Sequence, residues 1–186
     1  LAMQNMDRVL AADWETGVVL AQSGLTLAEL IRIALPRGWF LPVTPGTKFV
    51  TLGGAVANDV HGKNHHVMGT FGRHVRHLIM YRSDEGVTHC SPSIRPDLFA
   101  ATAGGLGLTG VILGVEIQLR RVASSYIEQR SIRFGGLDEF FELSQLYDAS
   151  NEYAVAWIDC LASGKHAGRG YYITGNHAQN GIIELA

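Results

Sequence analysis

The residues best equipped for chemistry form one run, Thr51-Leu52-Gly53-Gly54-Ala55-Val56-Ala57-Asn58-Asp59-Val60-His61-Gly62-Lys63-Asn64-His65-His66. Small side chains crowd its first half and ionisable ones its second. A diphosphate needs the first kind of surface, because backbone N–H groups must reach its oxygens with no side chain between. Redox chemistry on an alcohol needs the second, because a proton must leave the hydroxyl as electrons leave carbon. His61, Lys63 and Asn64 set an imidazole, an ammonium and an amide at one end of the run. Histidine moves protons near neutral pH, and lysine binds or stabilises anions. Asp59 is near enough in sequence to orient one of them, and reads equally well as a solvated loop charge.

Two glycine clusters each allow two readings. Thr51 is a good N-cap, so Gly53-Gly54 would sit in the first turn of a helix running to about Val60, where unpaired N–H groups and the positive dipole end favour anions. The pair is either a diphosphate seat or a tightly packed helix start. Gly104-Gly105-Leu106-Gly107-Leu108-Thr109-Gly110 is either a tight connection or a wall whose backbone touches a flat ring or a phosphate. Neither G-x-G-x-x-G nor G-x-x-x-x-G-K-[ST] occurs. Five of the eight histidines fall between His61 and His77. Their spacing lacks H-E-x-x-H, and Gly62 interrupts the i, i+4 pair His61/His65, so no metal site is expected. His65, His66, His74 and His77 read as surface or structurally bonded. No G-x-S-x-G elbow is present.

Positioning these residues requires a scaffold. Residues 9–12 and 18–22 read as two strands joined by a turn. Thr26 and Glu29 form a capping box for a helix with Leu27, Leu30, Ile31, Ala34 and Leu35 on one stripe, ended by Pro36 and Gly38. Residues 39–43 read as a short strand and residues 61–72 as loop. A hairpin is expected over 75–82 and 87–90, then a short helix over 97–103. Val111, Leu113, Val115, Ile117 and Leu119 alternate, which is the strongest strand signal in the chain. After Arg121 come a strand to Phe134, an amphipathic helix over 137–147 and strands over 153–158 and 170–173. The mixed order of elements makes the class α+β, with a boundary near residues 122–125.

The chain has 186 residues, 47% of them hydrophobic and 17% charged, an ordinary globular composition. Its net charge of −2 gives no basic field for nucleic acid. Cys90 and Cys160 match no zinc spacing and read as reduced thiols. No signal peptide or membrane span is read from the sequence, which makes a cytoplasmic location the default.

Taken together, Pro45-Gly46-Thr47, Val50-Thr51-Leu52-Gly53-Gly54-Ala55, His61-Gly62 and the loop at residues 103–112 resemble the second FAD-binding subdomain of the vanillyl-alcohol-oxidase (PCMH-type) FAD-linked oxidase family. The His-Gly pair is similar to that of aldonolactone and alditol oxidases. His61-Gly62-Lys63-Asn64-His65-His66 followed by Gly69-Thr70-Phe71-Gly72 is similar to the decaprenylphosphoryl-ribose oxidase branch. The resemblance implies a mixed or antiparallel sheet flanked by helices in residues 1–123, then the start of a substrate cap in residues 124–186. It implies that Gly46, Thr47, Gly53, Gly54, Ala57, Asn58, Val60, His61, Gly107 and Ile112 lie along FAD. His61 would stand beside the isoalloxazine and Lys63 near the substrate mouth. The implied activity is oxidation of a hydroxyl of a sugar, polyol or sugar-phosphate-lipid by hydride transfer to flavin N5. A lipid-linked substrate would bring the enzyme to a membrane edge. Asn58 stands where some relatives carry cysteine, so non-covalent FAD is expected. Family members are more than twice this length, which makes the chain look like a middle piece that holds FAD weakly alone. The alternative is a cofactor-free α+β binding module that kept the fold without the activity.

Overall fold

The run with the strongest alternation becomes the middle of a sheet. In the computed structural model of the chain, β6 (Val111–Gln118) lies between β2 (Val18–Gln22) and β4 (Val75–Arg82), antiparallel to both. β1 (Val9–Asp13) extends the sheet on one side and β5 (Gly86–Cys90) on the other. Residues 3–185 are described; Leu1, Ala2 and Ala186, which the expected two-part division includes, lie outside them. Val19, Ala21, Leu78, Met80, Val115 and Ile117 are buried on one face of this sheet. Leu27 and Leu30 of α1 (Leu27–Ala34) and Leu52 and Val56 of α2 (Leu52–Ala57) join them in one core. Each such side chain contributes about 1.5–3 kcal/mol over remaining exposed.

The strict alternation expected along β6 is broken once. Ile79 pairs with Gly114 but Met80 pairs with Ile112, so Leu113 is an extra residue on β6. This bulge shifts the inward face from odd to even positions. Ile112 is therefore buried in the core, while Leu113 is only half-buried.

Beyond β6 the chain crosses into a second sheet. β7 (Arg120–Arg121) pairs with β3 (Trp39–Phe40), and β8 (Ile127–Phe134), β10 (Gly170–His177) and β9 (Tyr153–Ile158) then form an antiparallel sheet with β10 central. α5 (Leu137–Tyr147) lays Phe140 against Phe134 and Tyr172, while Phe141 and Leu146 stay exposed. Antiparallel strands with segregated helices make the fold α+β, as expected.

Several boundaries differ from the sequence reading. The strand expected over 39–43 stops at Phe40, because β7 is only two residues long and Pro42 carries no N–H to continue a ladder. The helix expected to reach Val60 stops at Ala57. There the Asn58 amide donates to the Gly54 carbonyl at 2.9 Å, and Asp59 takes a left-handed conformation, φ 41°. The loop over 61–72 contains a short helix, α3 (His65–Met68), and a 3-10 turn starts at Phe71. α4 (Pro96–Thr102) and β5 fall within a residue of expectation, whereas β10 runs on to His177 because β8 pairs with its whole length. Only half of the α1 capping box forms: Thr26 accepts from the Glu29 N–H, but the Glu29 carboxylate turns to Arg32. Cys90 and Cys160 are free thiols, the first buried and the second exposed. Among the described residues no helix is long and apolar enough to cross a membrane.

Candidate functional site

Three segments that are distant in sequence meet at one end of α2. The Gly104 N–H donates to the Val56 carbonyl at 3.0 Å, and the Leu106 N–H donates to Ala57 at 2.8 Å. These bonds lay the second glycine loop across the C-terminal end of the small-residue helix. Asp59 accepts from the Gly72 N–H at 2.7 Å, so it anchors the returning loop and orients neither His61 nor Lys63. Asn64 is fully buried and donates to the Pro42 carbonyl at 2.8 Å, which ties the loop carrying Pro45, Gly46 and Thr47 to the run carrying His61 and Lys63. Gly62 permits this approach: a Cβ there would stand 2.4 Å from the Thr44 carbonyl oxygen.

The N-terminal turn of α2 does not offer free donors. Leu52 N–H donates to the Leu25 carbonyl, Gly53 N–H to Ser23, and Gly54 N–H to the Thr51 hydroxyl. A Cβ at Gly53 would stand 2.8 Å from the Ser23 Cβ, so Gly53 serves close packing against that segment. The first-turn donors at Gly53-Gly54 are thus all taken within the fold. Open backbone lies instead at the rim. A Cβ built at Gly46 or Gly107 meets nothing within 4 Å, and Gly107 has φ +78°, a conformation costly for other residues. Thr47, Asn58 and Gly107 are exposed, and Ala57 and Val60 are half-buried behind them. The β6 bulge sends the Ile112 side chain into the core.

His61 is exposed at the end of this rim, its ring edge-on to His65 with centroids 5.5 Å apart. Lys63 is held at both backbone groups: its N–H donates to the Thr44 carbonyl at 3.2 Å, and its carbonyl accepts from the Ala154 N–H of β9 at 2.9 Å. It lines a cavity of about 380 Å³ against the β8–β10–β9 sheet, together with Phe40, Thr44, Gln129, Trp157 and His177. The sequence reading missed Tyr153, Trp157 and His177, which enter this cavity from the second sheet. Three further histidines of the His61–His77 stretch are hydrogen-bonded: His66 to the Asn151 carbonyl, His74 to the Met68 carbonyl and His77 to His89. Burial, and then the neighbouring His89, push the His77 pKa down. Among the described residues no three side chains of metal-ligating type gather.

The rim suits a ligand with a flat ring and a phosphate chain. It has open backbone at Gly46 and Gly107, small residues behind, and exposed Phe49, Leu106 and Leu108 beside it. Residues 1–91 match the family of FAD binding domains. The decaprenylphosphoryl-β-D-ribose oxidase of Mycolicibacterium smegmatis is 37% identical over 179 residues, 95% of this chain and 39% of that protein. An uncharacterized protein of Streptomyces coelicolor is 44% identical over 156 residues, 83% of this chain and 41% of its own length. Mouse L-gulonolactone oxidase is 33% identical over 118 residues, 62% of this chain and 26% of that enzyme. The chain thus spans at most 41% of the length of these curated relatives. Through residues 1–91, which carry the loop at Gly46, helix α2 and the His61–Lys63 run, the chain belongs to the FAD binding domain family.

Proposed function

We propose that the protein is an FAD-dependent oxidoreductase that oxidises a hydroxyl of a sugar or polyol, with the cofactor along the α2 rim and the substrate in the cavity that Lys63 lines. The observation that carries this reading is the convergence of the Gly46 loop, α2 and the Gly107 loop at His61 and Lys63, beside a cavity lined by Lys63 and the β8–β10–β9 sheet. Gly46, Thr47, Ala57, Asn58, Val60 and Gly107 would hold FAD, chiefly through backbone. Gly53, Gly54 and Ile112 would support it from behind. Bound flavin supplies a two-electron acceptor.

The chain's own residues manage the rest. As the carbinol carbon gives up its hydrogen with the bonding pair, the hydroxyl proton must leave, and His61 Nδ1 or Nε2 takes it to give the carbonyl product. The Lys63 ammonium donates to the substrate oxygen and holds it against the rim. Trp157, 73% exposed at the far side of the cavity, offers an apolar face to a sugar ring. The M. smegmatis oxidase and mouse L-gulonolactone oxidase, named for sugar-derived substrates, support this substrate class. The division of labour follows the sheets: residues 1–123 bind cofactor, and residues 124–186 begin a substrate cap. Residues 1–91 lack β6, the central strand, so the cofactor-binding unit extends past the matched segment.

The test is spectroscopic and kinetic. Full-length protein purified with stoichiometric flavin, reduced on mixing with a polyol or aldose, meets the expectation. A colourless preparation that takes up no FAD would sink the proposal and favour a cofactor-free binding module.

A further inference from the structure

The cavity's inner wall contains a polar pair that the reaction above does not use. His177 Nδ1 lies 2.8 Å from the Ser124 carbonyl oxygen, and its Nε2 lies 3.1 Å from the Tyr153 hydroxyl. A carbonyl can only accept, so Nδ1 carries the hydrogen. The neutral ring then accepts at Nε2, and Tyr153 donates. Tyr153 keeps its proton throughout the neutral range, because burial pushes its pKa up to about 12. Burial holds His177 below the ordinary imidazole range, and Arg120 adds to this against the pull of the Ser124 bond.

The pair has a defined mechanical position. Ser124 belongs to the strand-to-strand crossing, His177 ends β10 and Tyr153 begins β9. The residue after Tyr153 is Ala154, whose N–H donates to the Lys63 carbonyl. The Phe40 ring meets His177 edge-on at 5.2 Å and closes the other side. We propose that Tyr153 and His177 are positioning residues, a clamp that fixes the start of β9 and through it the backbone of Lys63, and that opens when His177 is protonated. The clamp stands on these bonds alone; its bearing on substrate rests on the reading of Lys63 given above.

The charged and titratable groups that face His177 are few. Arg120 approaches from β7 and is paired with Glu152, Arg121 lines the same crossing, Tyr153 faces it from β9, and Lys63 stands across the cavity. A proton on His177 would take away the acceptor of the Tyr153 hydroxyl hydrogen and place a second positive charge beside Arg120. Because its pKa is lowered in the fold, the folded state binds fewer protons than the unfolded chain around that pKa. The clamp is therefore complete at high pH and weakens as pH falls below about 6.5, the ordinary imidazole value.

Amide hydrogen exchange on the full-length holoprotein tests this at one site, the Ala154 N–H, read as a protection factor. Wild-type protection is expected to fall between pH 8 and pH 5. Tyr153→Phe keeps the ring and loses the hydroxyl; it should lower protection at Ala154 about fivefold at high pH, the weight of one neutral hydrogen bond. His177→Leu should do the same and remove the pH dependence. Tyr153→Phe should also raise KM for the polyol severalfold at unchanged flavin content. Wild-type protection in both variants would overturn the clamp. If the variants do not fold, pH-independent protection in the wild type would overturn it equally. Lost protection with an unchanged KM would leave the clamp standing and overturn the assignment of Lys63 to substrate.

Discussion

His61 and Lys63 differ in how much of their placement is fixed. Lys63 is anchored at both N–H and carbonyl, so its stem starts from a defined point while its ammonium stays free in the cavity. His61 is exposed and leans on His65. Replacing each should therefore give a different kinetic signature. His61→Ala should keep the flavin spectrum and lower kcat about 100-fold or more, the loss expected for a proton-transfer group. Lys63→Met keeps the stem and removes the charge. It should raise KM about tenfold, as loss of one charge-assisted hydrogen bond does, with a smaller effect on kcat. Steady-state kinetics with flavin content as the reference separates the two. Equal effects on kcat and KM from both substitutions would dissolve the division of roles.

At the scale of elements, small side-chain contacts decide where the loops lie. The fully buried Asn64 amide donates to the Pro42 carbonyl, beside the Lys63 N–H bond to the Thr44 carbonyl. Asn64→Ala leaves the Pro42 carbonyl without its donor and should cost about 1–3 kcal/mol of stability by urea titration, with weaker FAD binding because the Gly46 loop loses one of its ties. Thr51→Val removes the hydroxyl that accepts from Gly54 N–H and should cost about 1 kcal/mol, the ordinary weight of a helix cap. The sequence made much of this scaffold legible, because caps, hairpin turns and alternation are local: Thr26 and Thr51 cap their helices, and β4, α5 and β9 lie over the predicted residues. What it did not show is non-local. The β6 bulge depends on how Met80 and Ile79 pair across the sheet, so Ile112 cannot be placed by counting along β6 alone. The donors of α2 looked free because their acceptors, Leu25 and Ser23, belong to an earlier turn. Tyr153 and His177 carry no motif; only the meeting of β9 and β10 makes them a pair.

At the scale of the molecule, the β3–β7 pair forms a seam beside the β8–β10–β9 sheet, and its polar groups are costly to separate from their partners. Arg120 and Glu152 form an ion pair there, with side chains 27% and 10% exposed. Burial pushes the Arg120 pKa down, a sign that the charge is held away from water. Such a pair adds little over an apolar pair of the same volume, because desolvation offsets attraction. Losing one partner is different, since it strands the other charge. Glu152→Gln should therefore destabilise the protein by about 3 kcal/mol and loosen β9 where it meets Lys63. Arg120→Met combined with Glu152→Leu should recover most of that loss. Thermal unfolding of the single and double variants, run with and without FAD, is the measurement. FAD stabilises the folded single and double variants alike by mass action, so the difference between them should persist when FAD is present in excess. If the double variant is no more stable than Glu152→Gln, the seam depends on the charges themselves, and a simple desolvation balance does not describe it.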